Sequence, residues 1–127
     1  MEEIRERLKI LAKNNKLGYP FSACLYNKRN GRALFAVNKV ISENNPTAHA
    51  EIVVLREIGN FKKLDDWVII SSGEPCCMCL GAIAWSGIKE IYFIEDYRIA
   101  QEKGYKFDRD AFKTNKLLNL GLIIKKL

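Results

Sequence analysis

Residues 67–85 read Trp67-Val68-Ile69-Ile70-Ser71-Ser72-Gly73-Glu74-Pro75-Cys76-Cys77-Met78-Cys79-Leu80-Gly81-Ala82-Ile83-Ala84-Trp85. Trp67 to Ile70 is an unbroken apolar run closed by Ser71-Ser72-Gly73, the pattern of a strand covered on both faces, because neither side of it has to meet water. Such a strand belongs in the middle of a sheet. From Cys76 to Trp85 no side chain is charged, Cys76, Cys79, Leu80 and Ile83 share one helical face, and Gly87 closes the run. That spacing predicts a second buried element, a helix following directly on the strand.

Working outward, Ile4, Leu8, Leu11 and Ala12 recur at helical spacing between Glu2 and Asn15, with Glu3, Arg5, Arg7 and Lys9 on the other side. This is an amphipathic helix, ended by Gly18-Tyr19-Pro20. Two short apolar runs, Ala23 to Tyr26 and Ala33 to Val37, flank a polar segment with Asn30-Gly31. They predict an antiparallel hairpin, because Asn-Gly tolerates the positive φ that tight turns demand. A polar loop through Asn44-Asn45-Pro46 leads to Ala48–Ile58, a largely buried helix stopped by Gly59. Ile91 to Ile94 is a further strand, the segment around Tyr97 to Phe112 holds more helix, and Leu122 to Ile124 is the last strand. Helices alternating with buried strands require crossover connections. The expected fold is therefore α/β, a three-layer α/β/α sandwich around a mixed five-stranded sheet.

Length and composition bound the rest. The chain has 127 residues, 48% of them hydrophobic, which suits one domain over residues 1–127. The longest stretch without a charged side chain, Pro75 to Ile88, falls short of the roughly 20 apolar residues of a membrane span. Met1-Glu2-Glu3-Ile4-Arg5 has none of the marks of a secretory signal, so the expected location is the cytoplasm. Of the four cysteines, Cys76, Cys77 and Cys79 are crowded together and leave only Cys24 at a distance. That spacing suits metal binding or catalysis better than two disulfides. A formal net charge of +6 eases contact with phosphates, but the basic residues are spread along the chain with no aromatic-interleaved stripe. A solvated surface is the better reading.

Zinc accepts thiolate sulfur and imidazole nitrogen, and a catalytic zinc takes three protein ligands and leaves one position for water. Cys76 and Cys79, three apart on one helix face, can share a metal, and a helix N-terminus favours their thiolates. The only histidine, His49, opens the other buried helix. With a central strand between the two helices, both N-termini open at one edge of the sheet, where ligands of α/β proteins bind. Glu51, two residues on, is a carboxylate in an otherwise apolar helix start. Moving protons between water and a leaving amine would account for it.

His49-Ala50-Glu51 and Pro75-Cys76-Cys77-Met78-Cys79 together resemble the paired signature of the cytidine deaminase superfamily of zinc-dependent deaminases. The wider stretches Asn45-Pro46-Thr47-Ala48-His49-Ala50-Glu51 and Glu74 to Ile83 resemble its guanine deaminase and tRNA adenosine deaminase branch. The resemblance implies a cytidine deaminase-like fold, Zn2+ on His49, Cys76 and Cys79, and Glu51 as the proton-transferring residue. It also implies a nucleobase or nucleoside substrate, guanine first with adenosine in tRNA or a cytosine or cytidine-type substrate as the alternatives, tRNA as a possible partner, and a homodimer. A family asparagine matches Asn38, an aromatic of guanine deaminases matches Trp85, and an aspartate that assists proton transfer matches Asp108 or Asp110. For Asn38 a turn residue competes with the substrate-holding role, for Trp85 core filling competes with a place in the pocket, and for the two aspartates a solvated loop does. Gly18-Tyr19-Pro20-Phe21 and Leu80 to Trp85 lean toward guanine. The stop at Leu127, where guanine deaminases carry a closing tail, leans away from it. A structural zinc module is the reading from another class, and it requires a fourth ligand from Cys77 or Cys24.

Overall fold

The computed structural model describes residues 1–59, 64–104 and 120–127. Helix α1 (Glu2–Lys13) is followed by the hairpin β1 (Ser22–Asn27) and β2 (Ala33–Val37), then the short α2 (Val40–Glu43) and α3 (Ala50–Ile58). Next come β3 (Trp67–Gly73), α4 (Cys77–Ser86), β4 (Glu90–Glu95), α5 (Tyr97–Glu102) and β5 (Ile123–Lys126). The five strands form one sheet in the order β2-β1-β3-β4-β5. β1 is antiparallel to both β2 and β3, whereas β3, β4 and β5 run parallel. The sheet is therefore mixed, with β3 at its centre.

Period-two alternation divides the core between the two faces of the sheet. Ala23 and Leu25 of β1, Ile69 of β3 and Ile91 of β4 pack with Val53 and Val54 of α3 and Leu80 and Ile83 of α4. On the other face Cys24, Val68, Ile70 and Ile94 pack against Ile4 and Leu8 of α1. Three layers result, α1 on one side of the sheet and α3 with α4 on the other. Val68, Ile69 and Ile70 are at most 2% exposed, the double coverage that the run at Trp67 to Ile70 predicts. The Ser22 hydroxyl donates to the Leu8 carbonyl at 2.6 Å and ties α1 to the first strand.

Local departures have local causes. The hairpin is not closed by a two-residue turn: Asn27 N–H bonds Arg32 C=O at 2.8 Å across a longer loop, and the Asn27 side chain accepts from Arg29 and Asn30 N–H. Only Gly31, at φ 75°, takes the left-handed region there. Helix α2 went unforeseen because four residues cannot show a helical period. It ends in Asn44 at φ 48°, a conformation that an asparagine tolerates. The last strand begins one residue later than expected, and its four residues are all exposed. Gly59 and Gly87, at φ 62° and 89°, terminate α3 and α4 as left-handed caps. No helix among the described residues is long and apolar enough to cross a membrane.

Candidate active site

The N-termini of α3 and α4 meet beyond one end of the sheet, and the residue at each start carries a metal-binding side chain. His49 is the N-cap of α3 and Cys76 the N-cap of α4, both extended, with ψ 153° and 173°. Neither side chain caps its own helix. Both are turned to each other instead: His49 Nδ1 lies 3.7 Å from Cys76 Sγ and 3.6 Å from Cys79 Sγ, and the two sulfurs are 3.7 Å apart.

Those distances test the metal. A tetrahedral zinc with Zn–S of about 2.3 Å and Zn–N of about 2.05 Å holds its ligands roughly 3.8 Å (S to S) and roughly 3.6 Å (S to N) apart. The triangle of His49, Cys76 and Cys79 has these edges, so soft donors of the right kind stand at the right spacing. Among the described residues they form the one group able to hold an ion. Cys24 lies on the α1 face of the sheet, packed with Leu8, Val68 and Ile70, and cannot be a fourth ligand. Cys77 is half-buried and outside the group. Three protein ligands are the complement of an open zinc site.

Electrostatics follow from burial and contact. The hydrogen bond shared with Cys79, with that to His49, pulls the Cys76 pKa down to about 4. The same bond, together with burial, raises Cys79, and contact with Cys76 raises His49. The Cys76–Cys79 pair thus favours a single negative charge, at the place where the positive ends of two helix dipoles converge. Glu51, in the first turn of α3, is 7% exposed, and burial pushes its carboxyl up to about 7. A carboxyl in that range exchanges protons readily near neutrality.

The other expected site residues divide. Asn38, just past β2, is 4% exposed, and Lys39 N–H bonds the carbonyl of Ala48, the residue before His49, at 2.9 Å. Asn38 therefore stands beside the turn that carries the histidine. Trp85 is 91% exposed near the far end of α4, nine residues and roughly 13 Å of helix rise beyond Cys76. It fills no core, and within one chain it is not brought to the cluster. Asp108 and Asp110 lie outside the described residues.

The four cysteines are free. Burial pushes the Cys24 thiol up to about 12, so it holds little of the reactive thiolate at ordinary pH. Native zinc-loaded protein at pH 8 is expected to react with a maleimide at Cys77 alone. Peptide mapping that finds Cys24 labelled at a similar rate would contradict this packing.

A family model of the cytidine and deoxycytidylate deaminase zinc-binding region matches residues 2–95. The chain belongs to this family. Its zinc-binding region holds the His49, Cys76 and Cys79 group, so zinc is the metal the site takes. Among curated relatives, a guanine deaminase of Bacillus subtilis is 36% identical over 96 residues, 72% of this chain and 60% of that protein. A tRNA-specific adenosine deaminase of Buchnera aphidicola is 47% identical over 64 residues, 48% of this chain and 42% of that protein. The chain thus spans about half the length of these relatives. A solved structure of the Bacillus subtilis guanine deaminase superposes with a TM-score of 0.72 at 33% identity, over 83% of this chain and 70% of that one.

Proposed function

We propose that this zinc-binding domain is a hydrolytic nucleobase deaminase that converts guanine and water to xanthine and ammonia. The observation that carries the reaction type is the three-ligand cluster with the buried, near-neutral carboxyl of Glu51 two residues from its histidine. Guanine is favoured by the relative matched over most of this chain.

His49, Cys76 and Cys79 would hold zinc, which when bound would supply a water with its pKa lowered from near 16 to about 7. Glu51 moves the protons. It accepts one as the water oxygen bonds to the amino-bearing ring carbon, and delivers it to the adjacent ring nitrogen. The second proton from that water goes to the departing amine as the carbon–nitrogen bond breaks, so ammonia leaves and the carbonyl is formed. Asn38 anchors the ring. Trp85, exposed in one chain, reaches a pocket only if a second chain presents it, as a homodimer would allow.

Adenosine in tRNA is the second reading, favoured by the higher identity of its shorter match. Ammonia release from a panel of guanine, adenine, cytosine, their nucleosides and an adenosine-bearing tRNA loop separates the two. Guanine is expected to be the best substrate; release from the tRNA loop without release from guanine would replace it.

A further inference from the structure

The loop from α1 to β1 is wrapped around Asn38. Asn15 Nδ2 donates to Tyr19 C=O at 2.7 Å and to the backbone C=O of Asn38 at 2.8 Å, while its Oδ1 accepts from Leu17 N–H at 3.0 Å. Ser42 N–H bonds Leu17 C=O at 2.8 Å, and Asn38 N–H bonds Phe21 C=O at 2.9 Å. A Cβ on Gly18 would collide with Asn38 Oδ1 and would lie 2.6 Å from its backbone oxygen. Glycine is required here by space, because only an atom-free flank lets the loop lie against the asparagine.

This wrapping decides which way the Asn38 amide faces. Its Oδ1 accepts from Tyr19 N–H and Val40 N–H, both at 3.1 Å. Both partners are donors, so a flipped amide would set an NH2 group against two N–H groups and lose both bonds. The oxygen is therefore consumed by the protein. Nδ2 is left without a partner among the described residues, on a side chain that is almost wholly buried beside the turn bearing His49.

We propose that Asn15 and Gly18 are positioning residues that hold Asn38 as an obligate hydrogen-bond donor to the substrate ring. The site then takes rings presenting an acceptor at that edge, a carbonyl oxygen or an unprotonated ring nitrogen, and rejects those presenting an N–H. A donor facing a donor leaves both buried and unpaired, and this is how polar sites discriminate strongly. The inference rests on the deaminase reading.

The test uses zinc-loaded full chain carrying Asn15→Ala, Asn15→Asp or Gly18→Ala. Asn15→Asp keeps the acceptor for Leu17 but loses both donations. Asn30→Ala is the control, removing a like bond, to Arg32 N–H at 2.9 Å, from the hairpin loop. Each Asn15 or Gly18 variant is expected to raise KM for guanine about tenfold with kcat changed by less than about twofold, the cost of one lost hydrogen bond in binding. Zinc content should stay at that of the unsubstituted protein, and amide exchange at Tyr19 and Val40 should quicken about tenfold; Asn30→Ala should alter none of these. Unchanged KM with unchanged exchange overturns the proposal, and so does a joint loss of zinc and kcat, which would mark general damage. Failure of the unsubstituted chain to release ammonia from any base is a different result: it sinks the deaminase reading, and the role of Nδ2 with it.

Discussion

Glu51→Gln is expected to retain zinc and to lower turnover by about 10³-fold, within the range that general acid–base catalysis supplies. The exchange is nearly isosteric, so His49, Cys76 and Cys79 keep their positions, yet an amide can neither accept the proton of the attacking water nor return one. The same substitution should stabilise the zinc-free fold at alkaline pH. Glu51 is held at about 7, above its ordinary 4.5, because burial disfavours its charge. The native state therefore binds more protons than the unfolded chain between these values, and stability falls as pH rises through that window. Glutamine carries no such penalty. Urea denaturation of both zinc-free proteins should give equal stability below pH 4 and an advantage for the variant at pH 8. Glutamine at this position with more than a tenth of the original turnover would remove Glu51 from the chemistry.

A buried carboxylate that lowers stability at neutral pH is the kind of local inconsistency that marks a candidate site residue in a sequence. Glu51 was legible for that reason: it interrupts the apolar start of a helix whose neighbours Ala50, Val53 and Val54 are buried. His49 was legible as the single histidine, and Cys76 with Cys79 from their helical spacing. The central strand was legible because burial on both faces leaves an uninterrupted apolar run. Trp85 was not, because α4 is apolar on every side, and such a helix has no polar stripe to say which face meets water. The edge strand β5 was legible only as the apolar run from Leu122 to Ile124; its continuation to Lys126 was not, since all four of its residues are exposed and alternation marks a strand only where one face is buried. Asn15 gave no signal either: an asparagine at a helix end reads as a terminator, and its bonds to Tyr19 and Asn38 depend on how the chain returns.

Cys79→Ala is expected to abolish zinc binding, reducing metal content at least about tenfold, and to cancel the stabilisation that zinc confers. A ligand at a thousand times its Kd stabilises the native state by about 4 kcal/mol, which for a domain of this size raises Tm by on the order of 10 °C. Chelation should lower the Tm of the unsubstituted protein by that much and leave Cys79→Ala unmoved. Cys77→Ala should behave like the unsubstituted protein, since Cys77 stands outside the ligand triangle. The effect should also depend on pH in a definite sense. The bond to Cys76 and burial raise Cys79, so its thiol must give up a proton to the solvent when the metal enters. Zinc affinity should then fall by about tenfold for each pH unit of acidification per proton released. Comparison of the two zinc-free proteins separates linkage from packing. Alanine suits the interior of α4, so if their melting temperatures agree within about 2 °C while the zinc-loaded ones differ, the role of Cys79 is to hold the ion; a large difference without metal would instead make it a core residue.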